Sequence, residues 1–313
     1  MSVLDSAPLD VLDSYRTCEF ATLGRDGTPV VWPTAVWRRP DGTLLLSTSL
    51  AFAQKALNIR RDGRVALLFS DPTGSGRTAP PQIFVGGHAE CPDEIMTGPQ
   101  GAEEYWRMLF ERQPHSRSYL SAPMRPLMDW YYLRLLITVT PRQVVVRPPL
   151  PAPDATAPAR TPAPAPAPAS GLVGAARLTR FPTAVLAARD ASGAPVLART
   201  RPVPTADGFA VAVPADCPAA PGPASLLGHR HDERLNNMYN VLVPGELRTG
   251  DGGPVLVPGK VVEPMGTGRV SDAVGVLRST KRATDRYLSR RGLSRPRVQW
   301  QEFRALARDT RRP

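Results

Sequence analysis

The tetrapeptide Gly27-Thr28-Pro29-Val30 returns 166 positions further along the chain as Gly193-Ala194-Pro195-Val196. An apolar run follows each of them, and Asp41-Gly42 returns at the same spacing as Asp207-Gly208. Glycines between apolar runs indicate hairpin turns, because glycine accepts the positive φ that such turns need. The sequence therefore predicts two units built on one plan.

A second match, at a spacing of 170, pairs residues 60–65 (RRDGRV) with residues 230–235 (RHDERL). Continued toward the N-terminus, this pairing sets Ser225 opposite Lys55. In this pairing the second copy lacks the charged side chain that the first copy has at Lys55. We therefore expect one working site per chain, in the first unit.

Two domains of ordinary size fit in 313 residues. We expect a first domain over residues 1–147, a Pro/Ala-rich linker over 148–170, a degenerate second domain over 171–270 and a basic helical segment over 271–313. Many short strands with few helices are typical of small antiparallel barrels, so the predicted fold is mainly β, with two β-barrels and peripheral helices. Because one such barrel leaves edges uncovered, the two copies are expected to cover each other as an intrachain pseudo-dimer.

Periodicity and turn residues also predict the helices. Apolar residues at helical spacing, bounded by Gly or Asp stops, indicate five helical segments. They lie at residues 8–16, 51–60, 100–112, 271–291 and 300–309. Residues 130–146 are predicted to close the first unit as one or two strands.

The net charge of +11 comes almost entirely from arginine, since lysine occurs only at positions 55, 260 and 281. Near the C-terminus, Arg278, Arg282, Arg286 and Arg290 recur every four residues and so share one helix face, here called the arginine stripe. Two interpretations stay open for it: a solvated helix face, or a binding surface for phosphate or nucleic acid.

The cysteines and the hydropathy indicate the compartment. Cys18, Cys91 and Cys217 are odd in number and far apart, which favours free thiols in a reducing environment. No apolar run approaches the ~20 residues of a membrane span, and the N-terminus does not read as a secretory signal. We expect a cytoplasmic protein without a membrane partner.

One pattern in the first unit carries a family resemblance. It consists of ATL at 21–23, DGTP at 26–29, PTAVW at 33–37, LST at 46–48, QK at 54–55 and NIRRDGRVAL at 58–67. In these residues the chain resembles the pyridoxamine 5′-phosphate oxidase-like superfamily, split β-barrels that bind FMN or, in many actinobacterial members, the deazaflavin F420. The resemblance covers most of residues 15–147 and is most specific between Thr43 and Leu68. The second unit looks like a degenerate copy of the same FMN-binding-like split barrel.

The resemblance implies a cofactor site in the first unit, and the residue types there suit a flavin phosphate. Ser47 and Thr48, at the end of a strand, offer hydroxyls, and Lys55 on the next helix offers a point charge. Gln54 and Asn58 share one face of that helix and are expected to orient phosphate or ribityl oxygens. The competing interpretations are an ordinary strand end and an ordinary polar helix face.

The resemblance also implies which residues border the ring. Thr34 and Val36 occupy positions that face the isoalloxazine edge in the family. Weaker candidates near the substrate are His88, where the family's barrel wall approaches the cofactor, and Trp37. For these two, a structural histidine and aromatic core packing are the competing interpretations.

Neither a metal site nor a catalytic side chain is predicted. His229 and His231 flank Arg230, and no third ligand lies near them in the sequence. Motifs of hydrolases and P-loop enzymes do not occur. Hydride transfer needs no such motif, because it uses the reactivity of the cofactor.

These observations predict an oxidoreductase that uses FMN or F420 and acts on an unknown small molecule by hydride transfer. A true pyridoxamine-phosphate oxidase is not expected, because no pocket for the substrate's phosphate can be traced. If the arginine stripe faces the cleft, it favours the negatively charged tail of F420. A further homodimer is compatible with the sequence.

Two alternatives stay open. The first is a non-catalytic ligand-binding or regulatory split barrel whose basic tail contacts a partner or nucleic acid, although a nucleic-acid partner is not expected. The second is a heme-handling protein, for which His88 or His229 would be the axial ligand.

Overall fold

The computed structural model of the chain describes residues 2–151, 171–250, 252–262 and 273–310. The predicted linker lies outside the described residues from position 152 onward. So do residues 263–270 of the predicted second domain and residues 271–272 of the predicted C-terminal helix.

The first unit is built on one antiparallel sheet of seven strands. Its strand order is β2-β1-β5-β6-β7-β4-β3. The strands are β1 (Cys18–Leu23), β2 (Pro29–Thr34), β3 (Trp37–Arg38), β4 (Leu44–Ser49), β5 (Arg64–Phe69), β6 (Gln82–Glu90) and β7 (Arg134–Arg147).

The second unit has a sheet of the same size and plan. Its order, read from one edge, is β9-β8-β12-β13-β14-β11-β10, so each strand takes the place of the strand of equal rank in the first sheet. The strands are β8 (Ala184–Arg189), β9 (Pro195–Thr200), β10 (Val203–Pro204), β11 (Phe209–Ala210), β12 (Ala220–Arg230), β13 (Tyr239–Gly250) and β14 (Gly253–Pro258). The predicted mainly-β fold of two repeated units is confirmed.

Helices lie at the periphery of the sheets. The α-helices are α1 (Leu9–Ser14), α2 (Gln54–Arg61), α3 (Glu103–Arg112), α4 (Arg125–Tyr132), α5 (Ala175–Leu178), α6 (Ala273–Ser289) and α7 (Trp300–Asp309). Short 3₁₀ turns occur at Val3–Ser6, Leu50–Phe52 and Pro114–Leu120. The predicted strand at 130–146 is wrong at its start, because residues 130–132 complete α4. No described helix combines the length and the apolar character that a membrane crossing requires.

The pairing of the first two strands confirms the repeat at a spacing of 166. Ala21 lies opposite Val31 in the first sheet, and Ala187 lies opposite Leu197 in the second. The two hairpin turns also agree, because Gly27 has a φ of 77° and its counterpart Gly193 one of 82°. A side chain at either position would strain the turn, which explains why both copies retain glycine.

The match at a spacing of 170 is wrong. Ala21 pairs with Ala66 in the first sheet, whereas its counterpart Ala187 pairs with Ser225 in the second. Ser225 therefore takes the place of Ala66 in the fifth strand and not the place of Lys55.

The second unit in fact has no counterpart of helix α2. Residues 50–63 connect the fourth and fifth strands of the first sheet through a 3₁₀ turn and α2, but residues 211–219 make the same connection in the second sheet without a helix. Residues 230–235 lie at the end of β12 and in the turn after it. The second copy lacks a counterpart of Lys55 because the element that carries it is missing.

The two units share an apolar core. Successive side chains of a strand point to opposite faces, so Phe20 and Leu67 pack inside the first unit. Their neighbours Ala21 and Leu68 pack with residues of the second unit such as Leu226. Strand β1 is buried along its whole length because both of its faces are covered.

The C-terminal helices pack on the first unit. Phe303 of α7 is fully buried, and its ring centroid lies 4.7 Å from that of Trp106 and 4.8 Å from that of Tyr132. Tyr287 and Leu288 of α6 join the same core. The first unit thus gains two helices from the end of the chain.

Candidate functional site

A cavity of about 880 Å³ lies beside the end of strand β4 and the start of helix α2. Both units form its wall. The first unit contributes parts of β2, β4, α2 and α4, and the second contributes Leu235, Met238, Asn240 and Leu242. Helix α6 supplies Ala283, Arg286 and Tyr287, and Arg290 directly after the helix lies on this cavity as well.

The cavity wall is strongly basic. Asp26 is its one acidic residue among the described part of the chain, against six basic residues. The basic residues are Lys55, Arg134, Lys260, Arg286, Arg290 and Arg291. Such an excess of positive charge favours an anionic ligand.

Lys55 is a half-buried cation of this wall. Its ammonium lies 3.4 Å from the hydroxyl of Thr34 and 5.4 Å from the ring centroid of Trp32, and no described carboxylate forms an ion pair with it. Burial, with a smaller contribution from the positive charge of Arg134, lowers the pKa of Lys55 from 10.5 to about 8. A bound anion would offset both effects.

Arg134 is a fixed cation at the start of β7. It is buried, it donates from Nη1 to Ser47 Oγ at 2.8 Å, and its guanidinium lies 4.3 Å from the ring centroid of Tyr131. Ser47 Oγ also lies 3.0 Å from the hydroxyl of Tyr105. These contacts hold Arg134 in place without a carboxylate partner among the described residues. Arg134 is not among the site residues predicted from the sequence.

Two buried polar atoms of the wall lack a hydrogen-bond partner among the described residues. They are Ser49 Oγ and Trp130 Nε1. The neighbouring Thr48 is already engaged, because its hydroxyl donates to the carbonyl of Phe52 at 2.8 Å. Leaving such atoms unsatisfied is costly, so their presence in a basic cavity suits a polar, phosphate-bearing ligand.

Five of the seven predicted cofactor residues line this cavity. They are Thr34, Ser47, Thr48, Gln54 and Lys55.

Val36 and Asn58 do not line the cavity. Val36 packs in the core of the first unit. Asn58 is fully buried and donates from Nδ2 to the hydroxyl of Thr22 at 2.9 Å, so it attaches α2 to β1. Gln54 in turn donates to Asn58 Oδ1 at 2.8 Å.

The weaker candidates lie elsewhere too. Trp37 borders a separate cavity of about 410 Å³, and His88 pairs with Arg64 across β5 and β6. His229, the other candidate for a heme ligand, is buried and hydrogen-bonded to Glu19. Neither histidine faces the large cavity.

The arginine stripe divides into two halves. Arg286 and Arg290 line the large cavity, whereas Arg278 and Arg282 are exposed elsewhere on α6.

The missing third ligand near His229 and His231 is supplied by the fold. Asp71 lies close to both histidines, and one ligand atom from each of the three residues is within 4.8 Å of the others. Asp71 could not be predicted as the third ligand, because it precedes the two histidines by about half of the chain.

Comparisons with known proteins give a likeness in structure only. No family model and no curated protein sequence matches the chain. The solved structures that match include a protein of unknown function from Agrobacterium tumefaciens, at 25% identity and a TM-score of 0.33 over 44% of this chain and 53% of the other. The chain thus spans about half the length of that protein.

Two further matches are of the kinds that the sequence resembles. A putative pyridoxamine 5′-phosphate oxidase from Listeria innocua is 16% identical, with a TM-score of 0.30 over 44% of this chain and 93% of the other. An F420 reductase is 24% identical, with a TM-score of 0.31 over 43% of this chain and 93% of its own. At such TM-scores these likenesses carry no argument about activity.

Proposed function

We propose that the large cavity binds a phosphate-bearing flavin or deazaflavin cofactor and that the protein is an oxidoreductase acting on a small molecule. The observation that carries this proposal is the presence in one cavity of a half-buried Lys55 without an ion pair and of two polar atoms, Ser49 Oγ and Trp130 Nε1, that lack a partner among the described residues. When bound, such a cofactor supplies hydride chemistry at its ring.

Different residues of the cavity would contact the phosphate and the ring of the cofactor. Lys55, Ser49 and Arg134 offer a charge, a free hydroxyl and a fixed guanidinium for a phosphate. The aromatic side chains of Trp32, Trp130 and Tyr131, which also line the cavity, offer surfaces for a planar ring.

The second unit acts as the cover of this site. Its side chains Leu235, Met238 and Leu242 are apolar and line the same cavity, so they limit water access and shape the space for a substrate. In this proposal the two units form an intrachain pseudo-dimer in which the second unit has the place of a partner subunit.

The exposed cations favour F420 over FMN. Lys260, Arg286 and Arg290 are exposed, line the cavity and form no ion pair with the described residues. A cofactor whose tail carries further negative charge would engage them, whereas FMN carries only its phosphate.

Titration of the purified protein with FMN and with F420, followed by absorbance and fluorescence, tests the proposal. We expect saturable binding of at least one cofactor. Lys55→Ala should weaken it about 10–100-fold, because a hydrogen bond to a charged group contributes about 1.5–3 kcal/mol.

Lys281→Ala is the matched control, because Lys281 is exposed and lies outside the cavity. It should leave the affinity unchanged. The proposal is wrong if neither cofactor binds, or if Lys55→Ala binds as the wild type does. A second test reduces the bound cofactor chemically and then adds small-molecule acceptors. If none of them reoxidises the cofactor, the result would support the non-catalytic alternative.

A further inference from the structure

Three side chains of types that can bind a metal ion meet where the fifth strands of the two units end. Asp71 follows β5, and His229 and His231 lie at the end of its counterpart β12. Asp71 Oδ2 is 3.8 Å from His229 Nδ1 and 3.6 Å from His231 Nε2. Ligand atoms around a tetrahedral zinc ion, with bonds of about 2.0–2.1 Å, are separated by about 3.3 Å. These two separations exceed that value by about half an ångström or less, and one ligand atom from each of the three residues lies within 4.8 Å of the others.

The hydrogen bonds of His229 leave a lone pair on the atom that faces Asp71. Its Nε2 lies 2.8 Å from Glu19 Oε1, and Arg199 Nη2 donates to the same oxygen at 2.6 Å. An ionised carboxylate only accepts, so His229 Nε2 carries the proton. In the neutral ring Nδ1 is then free of a proton, and it has no hydrogen-bond partner among the described residues.

His231 is oriented in the same way by its other nitrogen. Its Nδ1 lies 2.9 Å from the carbonyl oxygen of Asp232, which only accepts, so this nitrogen donates. His231 Nε2 thus presents a lone pair toward Asp71, and among the described residues it also lies 3.2 Å from the hydroxyl of Thr17.

The carboxylate of Asp71 is also held by a hydrogen bond to one of its two oxygens. Its Oδ1 accepts from the backbone N–H of Thr73 at 3.1 Å, which leaves Oδ2 to the histidines.

Glu19 supports the histidines from outside the three-residue cluster. It is fully buried and accepts from Arg199, His229 and Ser70, the last at 2.8 Å. A carboxylate that accepts from the second nitrogen of a histidine is the common support of metal-binding histidines, because it fixes the ring and raises its basicity.

We propose that Asp71, His229 and His231 bind one divalent transition-metal ion of the zinc class, which joins the first unit to the second. The ligand set of two imidazoles and one carboxylate suits such an ion, and a water or the Thr17 hydroxyl completes the coordination. The role is structural, because the side chains of both histidines are only 1% exposed. The site is separate from the cofactor ligands proposed above.

Metal titration of the full chain, produced without a histidine tag and treated with a chelator, tests this proposal. We expect one Co²⁺ per chain with the visible d–d absorption of a low-coordinate site, displaced by one Zn²⁺. Zn²⁺ should also raise the melting temperature, since a ligand that binds only the folded state stabilises it.

The variants Asp71→Asn and His231→Gln each remove one ligand at nearly constant volume. Each should lower the affinity by more than about 100-fold, beyond the roughly 10–100-fold typical of changes in residues that support the ligands. His115→Gln is the matched control, since this half-buried histidine lies outside the cluster, and it should bind as the wild type does.

Circular dichroism of each variant establishes that it is folded before the titration is interpreted. The proposal is overturned if the wild type binds no stoichiometric metal, or if folded Asp71→Asn and His231→Gln bind it equally well. The cluster would then be a buried ion-pair network. None of these measurements involves a flavin, so they do not depend on the proposed oxidoreductase activity.

Discussion

The two units share one strand order but differ in the connection between their fourth and fifth strands. The first unit inserts a 3₁₀ turn and helix α2 there, and with them Gln54 and Lys55 beside the large cavity. The second unit makes the same connection by residues 211–219 without a helix. One insertion therefore accounts for why only the first unit contributes a helix with Gln54 and Lys55 to the cavity, while the second unit contributes the opposite part of the wall.

The C-terminal helices pack on the first unit and are a further difference between the two units. Weakening their packing should have the largest effect on stability. Phe303→Ala deletes a fully buried ring that contacts Trp106 and Tyr132. We expect the free energy of unfolding to fall by about 3–5 kcal/mol, as is typical for such a truncation. Denaturant unfolding measures it.

Leu293→Ala serves as the control, because Leu293 lies between α6 and α7 but is 44% exposed. Its effect should stay within about 0.5 kcal/mol. Equal effects of the two substitutions would mean that α7 does not pack on the first unit in solution.

The charge of Lys55 provides the next test, through pH. Because its pKa is about 8, Lys55 is protonated below this pH and loses its charge above it. Binding of a phosphate-bearing ligand should therefore weaken by about tenfold or more as the pH rises well above 8. In Lys55→Arg the decrease should be absent over this range, because arginine keeps its charge.

Without a ligand, the stability should change in the opposite direction. Between the folded pKa of about 8 and the usual 10.5, the unfolded chain binds more protons at this position. Its contribution to the free energy of unfolding therefore rises with pH in this window. Lys55→Met should remove this part of the pH dependence, and an unchanged profile in chemical denaturation would contradict the burial of the ammonium.

Ser49 should have a smaller effect, confined to the ligand-bound state. In the free protein Ser49→Ala removes a buried hydroxyl that has no described partner, so the free energy of unfolding should not decrease. The affinity for the cofactor should fall about fivefold, by about 1 kcal/mol. Ser121→Ala, at an exposed serine outside the cavity, is the control for the titration. A loss of stability with unchanged affinity would exclude Ser49 as a ligand.

The exposed arginines should have the smallest effect and discriminate between the cofactors. Replacing Arg286 and Arg290 by alanine should weaken F420 binding by about 1 kcal/mol, since exposed ion pairs contribute about 0.2–1 kcal/mol each. FMN binding should change less. Arg278 and Arg282, on the same helix but outside the cavity, form the matched control pair. Equal losses for both cofactors would contradict a role for these arginines in binding a charged tail.

The repeat of the two units could be predicted because hairpin glycines are local signals. Gly27 and Gly193 reveal a turn within a few residues of sequence, and the pairing of the strands follows from it. The second match failed because similar residues, at 60–65 and 230–235, recur in elements that are not equivalent. Sequence alone does not reveal that the second unit lacks a helix in the connection where the first unit has α2.

The candidate site could be predicted only where it lies within one segment. Lys55 and Thr48 come from adjoining elements, and the fold places both at the cavity. Arg134 reaches it from β7 and Lys260 from the second unit, which no local pattern indicates. One signal was available for Lys260, since it is one of only three lysines in an arginine-rich chain.

The number of cofactor molecules bound per chain tests most directly whether only one of the two units carries a site. Equilibrium dialysis of the full chain against FMN and against F420 gives this number at saturation. The account predicts one molecule per chain, lost in Lys55→Ala within the same concentration range. Two molecules per chain, or one that Lys55→Ala leaves in place, would contradict it.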